Sequence, residues 1–305
     1  MRLMALVIAA AAPALASCAV NPPAATAQLQ DPQSVVDQLL AQDRAFAAAA
    51  AGQPAIETLS RMIDDDVAMF IVPVPGLARN RAQATELMQK AFGSDPTTLR
   101  WTTVRVGVSA DASQGFTYGF MDRLVDGKPA QLGKYVAYWI KRAAGWRVAA
   151  FKMVPRPEGP VSTELRAPSL PNAIVPTATD AATVEAYRAS LDQTERQFSA
   201  DSQVTSIGTA FRKYGSADAM NVGGNADFTY SNDAIADGQG GDSDDGSPVR
   251  WAPDGVLVAS SGDLGVTFGY LLRNAPTPPG KLPRIPFFTI WRRATPQAPW
   301  RYIAE

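Results

Sequence analysis

Histidine is missing from all 305 residues, and cysteine occurs once, at Cys18. Without imidazole there is no side chain of that type to act as a base near neutrality, no Ser-His-Asp or Cys-His nucleophile pair and no His-ligated zinc. A lone cysteine excludes a disulfide or a thiolate metal cluster within the chain. Charge is sparse as well: Asp, Glu, Lys and Arg make up 19% of the residues and the net charge is −1. That leaves no basic field for nucleic acid, so nucleic-acid binding is not expected. No residue pattern calls for a cofactor or a metal. Any chemistry falls to carboxylates, Tyr, Lys, Arg or backbone dipoles. What is present is a hydrophobic content of 46% in a chain long enough for two ordinary domains.

One stretch occurs twice. Arg100-Trp101 is followed by Gly115-Phe116-Thr117-Tyr118-Gly119-Phe120; 150 positions later come Arg250-Trp251 and Gly265-Val266-Thr267-Phe268-Gly269-Tyr270. Each copy runs on through an aromatic strand to Trp139-Ile140-Lys141-Arg142 or Trp291-Arg292-Arg293, and then to Trp146-Arg147 or Trp300-Arg301. A pattern held over some fifty residues at nearly constant offset is an internal duplication.

The front of the chain reads as an export signal at residues 1–18. Arg2 precedes an apolar run, Leu3 to Ala14, too short to cross a bilayer as a mature helix, and small residues follow. Leu15-Ala16-Ser17-Cys18 resembles the lipobox of bacterial lipoproteins, in which the cysteine becomes the lipidated first residue; the alternative is simple cleavage after Ala16 and a soluble secreted product. Lipidation at Cys18 would hold the chain at a bacterial cell envelope, facing the periplasm. Ala19 in place of Asp favours the outer membrane, by resemblance to enterobacterial sorting. Residues 19–32, rich in Ala and Pro, read as a flexible tether.

Residues 33–154 form the first expected domain. Val35, Leu39, Phe46 and Ala50 lie on one helical stripe, Ala55 to Ile63 is a short helix ending in Asp64-Asp65-Asp66, Val67 to Val72 is a strand, and Arg81 to Phe92 is a third helix. Four strands follow, Trp101–Ser109, Gly115–Val125, Gln131–Lys141 and Trp146–Val154, which gives an α+β pattern. The Asp43-Arg44-Ala45-Phe46 helix, Asp65-Asp66 before a strand, the Pro-containing loop and the aromatic ending together resemble the SnoaL-like, nuclear-transport-factor-2-like superfamily. That resemblance implies a cone-shaped fold, a curved antiparallel sheet wrapped by about three helices around an internal pocket. Residues 155–180, with six prolines between Pro155 and Pro176, read as an extended linker. Residues 181–305 repeat the scheme as a second, diverged cone. There Glu195-Arg196-Gln197-Phe198 answers Asp43 to Phe46, and the acidic, Gly-rich run Asp237 to Gly246 stands where the first copy has its third helix.

Asp43 and Glu195 sit one turn before the inward Phe of their helices, so both could face a cavity as a proton acceptor or a hydroxyl anchor, or else lie at an edge paired with Arg44 or Arg196. Asp122 shares a strand face with Phe116, Tyr118 and Phe120 by alternation. With Tyr118 it resembles the Asp-plus-Tyr acid–base pair of ketosteroid isomerases, which share this fold; Leu272 in the second copy and the nearby Asp126-Gly127 turn argue for a solvated charge instead. Phe46, Trp101, Tyr118, Trp139, Phe198, Trp251, Phe268 and Trp291 are core residues or the wall of a ligand pocket, two readings that overlap in a cone. The run Asp237 to Gly246 fails calcium-loop spacing and reads as a mobile acidic loop, and Asp64-Asp65-Asp66 as a solvated helix end.

Three functions follow. The first is non-catalytic binding of a small apolar ligand, or a scaffold role in the envelope, by two cones paired sheet to sheet as an intramolecular pseudo-dimer. The second is an isomerase, dehydratase or hydrolase using Asp43, Asp122 and Tyr118. The third is an interaction module for another envelope protein. The missing histidines and the unevenly repeated carboxylates weigh against the enzyme.

Overall fold

The computed structural model describes residues 30–66, 69–71, 77–93, 97–243 and 245–305. Cys18 and the rest of the expected signal and tether up to residue 29 lie outside these residues, as do the ends of the Val67 to Val72 strand and Asp244.

The chain is α+β, with one six-stranded sheet formed from each half of the sequence. The first runs α1 (Pro32–Ala49), α2 (Ala55–Met62), β1 (Met69–Ile71), α3 (Arg81–Phe92), β2 (Thr98–Val108), β3 (Gln114–Val125), β4 (Lys128–Gln131), β5 (Gly133–Arg142) and β6 (Gly145–Pro155). The second runs α4 (Ala181–Val204), α5 (Ile207–Tyr214), β7 (Gly215–Asn221), β8 (Thr229–Tyr230), α6 (Asn232–Gly238), β9 (Val249–Val258), β10 (Leu264–Arg273), β11 (Arg284–Arg292) and β12 (Arg301–Ala304). The sheets are ordered β1-β6-β5-β3-β2 and β8-β7-β12-β11-β10-β9, with β4 added on β3. In each, one parallel pair (β1 with β6, β7 with β12) joins an otherwise antiparallel meander.

Local chemistry accounts for the elements. Asn80 accepts the Gln83 amide at the start of α3, and Gln83 returns a bond to the Arg79 amide. Asp180 caps α4, and Ser206 caps α5. Asp126 and Gly127 both take positive φ, as a tight two-residue hairpin turn needs. Asp64 is not a solvated helix end: it is buried and takes a two-pronged bond from Arg142 at the end of β5, Nε to Oδ2 at 2.8 Å and Nη2 to Oδ1 at 2.9 Å, while its amide donates to the Val148 carbonyl of β6. The second half does have a third helix, the short α6, started by Ser231 accepting from the Ala234 amide just before the acidic run. The run itself is tied down through Arg212, which reaches Asp237 and Asp242 as well as Asp233 in the first turn of α6.

The bends recur with the sequence. A bulge displaces Val104 from the β2–β3 ladder and Asp254 from β9–β10; a second falls between Tyr138 and Trp139 and between Ile290 and Trp291. Bulges at matched positions curl both sheets in the same sense around their helices. Each concave face carries its own core, one around Leu39, Trp101, Trp139 and Phe151, the other around Leu191, Phe198, Trp251 and Trp291. A third apolar cluster draws on both sheets: Phe116, Tyr118, Phe120 and Tyr138 from the first meet Val266, Phe268, Phe288 and Ile290 from the second.

The Pro-rich segment between the halves is more than a spacer. Arg166 and Ser169 donate backbone bonds to Val104 and Val106, the Val108 amide donates to Ser169, and the Val175 amide donates to Ala110. Residues 166–175 thus form a strap along the otherwise open edge of β2.

Candidate functional site

The repeated carboxylates are the centre of each core. Asp43, on α1, is fully buried; Trp101 donates its indole N–H to Oδ1 at 2.9 Å, and Thr103 and Tyr135 donate hydroxyls to Oδ2 at 2.7 Å. Glu195, on α4, is equally buried; Trp251 donates to Oε1 at 2.5 Å, while Thr267 at 2.5 Å and Trp291 at 3.0 Å donate to Oε2. The two indole pairs occupy matched register: Trp101 lies opposite Met121 and Trp251 opposite Leu271, Trp139 opposite Gly115 and Trp291 opposite Gly265. Burial pushes both carboxyls up, Asp43 above the ordinary range and Glu195 to about 7, against the downward pull of their hydroxyl and indole donors. Neither is an edge charge paired with its neighbouring arginine: Arg196 instead pairs with Asp192.

The other expected site residues divide by sheet face. Phe46 stacks on Trp139 at 6.1 Å, and Phe198 is ringed by Phe211, Tyr214, Trp251, Trp291 and Tyr302 at 4.9–6.1 Å. These aromatics fill the cores rather than line an open pocket. Tyr118 and Phe268 point the other way, into the cluster between the sheets, so Tyr118 does not meet Asp43. Asp122 lies on that same outer face but beyond the cluster, where Arg100 donates to it at 3.0 Å. Asp43, Asp122 and Tyr118 therefore form no common site. Tyr135, on the inner face of β5 and read from the sequence only as a core or pocket-wall aromatic, is the tyrosine that bonds Asp43. Thr117 and Thr267 were also missed, although they stand at the same place in the repeated Gly-x-Thr-x-Gly motif: Thr117 accepts from Trp139 as Thr267 does from Trp291, each at 3.0 Å.

The concavities lie outside the cores. A recess of about 310 Å³ sits between α1, β2 and the strap, lined by Arg44, Trp101, Thr103 and Leu165. A groove of about 850 Å³ lies under the strap beside the ends of β11 and β12, with Arg292, Arg293 and Arg301 among its lining residues. Among the described residues no group of carboxylates and Cys is placed to hold a metal ion, and no helix is long and apolar enough to cross a membrane.

No family model and no curated protein matches the sequence. Among solved structures, the chain is similar to a domain of unknown function with a cystatin-like fold from Nostoc punctiforme (15% identity, TM-score 0.32, covering 42% of this chain and 78% of that one). It is also similar to a ketosteroid isomerase-like protein from Erwinia carotovora atroseptica (15%, 0.32, 39% and 95%). A third similar structure is a nuclear-transport-factor-2-like protein with a cystatin-like fold from Novosphingobium aromaticivorans (18%, 0.30, 40% and 81%).

Proposed function

We propose that this chain is a non-catalytic binding protein of two SnoaL-like domains, exported, lipidated at Cys18 and held on the periplasmic side of a bacterial outer membrane, with the two domains locked sheet to sheet as an intramolecular pseudo-dimer. One observation carries the non-catalytic reading: the same buried carboxylate recurs in both halves with both of its oxygens taken by strand donors. A general base has to reach a proton on a bound substrate. These oxygens instead face indoles and hydroxyls in filled cores, where they tie the first helix of each half to its sheet. The two acyl chains of a diacylglycerol thioether-linked to Cys18 would give durable membrane attachment.

Native mass spectrometry of the detergent-extracted full chain tests this. The expected spectrum shows an acylated N-terminal cysteine and a small molecule released on activation, and Cys18→Ala protein appears in the soluble fraction. An unmodified chain in the soluble fraction with no bound molecule would remove the proposal.

A second reading, an acid–base enzyme of isomerase, dehydratase or hydrolase type in the first half, is favoured by one asymmetry. The Thr103 and Tyr135 hydroxyls on Asp43 have no counterpart in the second half, where Pro253 and Phe287 occupy the matching positions, and the smaller recess opens beside Thr103. Tyr135→Phe, assayed well below the melting temperature of the variant, separates the two readings: an unchanged cellular phenotype supports the binding protein, and a lost phenotype in a folded variant supports the enzyme.

A further inference from the structure

The groove under the strap has the composition of a ligand site. Its sides are apolar: Pro168, Leu170 and Pro171 from the strap face Pro296, Pro299 and Ile303 from the second half. Its volume of about 850 Å³ falls within the range of small-molecule sites. Its charged residues are unevenly committed. Asp263 is engaged by Arg292 at 3.4 Å and by the Ala110 amide, and Asp218 is engaged by Arg105 and Ser216. Arg292 spends Nη2 on the Val108 and Ser169 carbonyls.

Arg293, only 7% exposed, donates Nε to the Gly262 carbonyl and lies 4.2 Å from the Trp300 ring and 5.1 Å from Tyr187; its Nη2, like the Nε of Arg292, is buried without a hydrogen-bond partner. A buried guanidinium nitrogen without an acceptor is expensive to leave unmade, and a carboxylate is the acceptor its planar geometry matches. Arg301 stands half-buried on the same lining. Asp218 is answered by Arg105 and Asp263 by Arg292, so Arg293 and Arg301 are the lining guanidiniums without a carboxylate partner, which suits an anionic head group.

We propose that this groove binds a small molecule carrying one carboxylate on an apolar body, with Arg293 and Arg301 holding the carboxylate and the proline-rich walls covering the rest. The assignment rests on the binding reading above and gives it a place: outside both cones, in a cleft that exists because a linker joins them.

Calorimetric titration of the purified full chain with decanoate, decan-1-ol and decyl phosphate tests it. Decanoate is expected to saturate one site per chain, decan-1-ol to give no saturable heat, and decyl phosphate to bind more weakly than decanoate. Arg301→Glu, at a half-exposed position, is expected to weaken decanoate by about tenfold or more with an unchanged melting curve; Arg293→Met, checked for folding in the same way, does likewise. Equal binding of acid and alcohol, tighter binding of the phosphate, or an unaltered affinity in Arg301→Glu overturns the proposal. A molecule that still co-purifies with Arg301→Glu removes the groove but leaves the binding reading standing; no co-purifying molecule and no decanoate heat in the wild type removes both.

Discussion

A carboxylate sealed from water must be satisfied by protein donors, and its side-chain length decides which ones it reaches. Glu195, one methylene longer than Asp43, meets both Thr267 and Trp291 on the far strands. Asp43 stops short: Trp139 turns to Thr117 instead, and the gap at Asp43 is closed by the hydroxyls of Thr103 and Tyr135. Because burial raises Glu195 to about 7 from an unfolded value of 4.5, its contribution to stability is complete below pH 4.5 and is lost as pH rises through 7. Denaturant titrations should therefore show wild-type stability falling over that interval by up to about 3 kcal/mol relative to Glu195→Gln, which mimics the protonated form; parallel pH profiles for the two proteins would contradict this. Thr267→Val removes a hydroxyl that donates to Glu195 and accepts from Trp291, so it should cost about 1–3 kcal/mol at neutral pH.

At the level of elements, the matched bulges place a glycine where the partner strand comes closest. A Cβ at Gly119 would lie 2.0 Å from the Thr102 carbonyl oxygen, and one at Gly269 2.3 Å from that of Ala252. Backbone cannot swing aside as a flexible side chain can. Gly119→Ala and Gly269→Ala are each expected to destabilise by about 2 kcal/mol or more, whereas Gly224→Ala, which meets nothing within 4 Å, should melt with the wild type. The strap makes a kinetic prediction. Ser169→Pro deletes the amide that bonds Val106, so the backbone of β2 facing the strap, and the Val108 amide in particular, should exchange hydrogen faster in that variant.

For the whole molecule, the cluster between the sheets determines whether the halves melt together. Phe288 is fully buried there, opposite the sheet carrying Lys152, whose ammonium lies 4.7 Å from its ring. The contact is reciprocal at the hairpin tips, where Asp263 accepts the Ala110 amide and Asp111 accepts the Ser261 amide. Lys134 adds a clamp from the first half to the second by donating to the carbonyls of Val222, Asn225 and Asp227. Phe288→Ala should cost about 3–5 kcal/mol and split a single calorimetric transition into two, one for each half. A single transition merely shifted to lower temperature would mean that the halves are coupled by other means.

Much of this was legible in the residues alone. The helices at Pro32–Ala49 and Arg81–Phe92, and the matched register positions of Trp101 with Trp251 and of Trp139 with Trp291, follow from periodicity and offset, because each half folds by the same local rules. The sequence also placed Asp43 and Glu195 one turn before an inward Phe, which is where their buried positions begin. It could not choose a face for β3. From Gly115 to Met121 every residue is buried, since one side of the strand meets the first core and the other meets the second sheet, so no alternation of polar and apolar residues marks inside from outside. That is why Tyr118, Phe268 and Asp122 went to a pocket they do not enter. The strap and its groove were equally hidden, because Leu170, Asp218 and Arg293 are brought together only when the linker lies back along β2 and the two sheets close on each other.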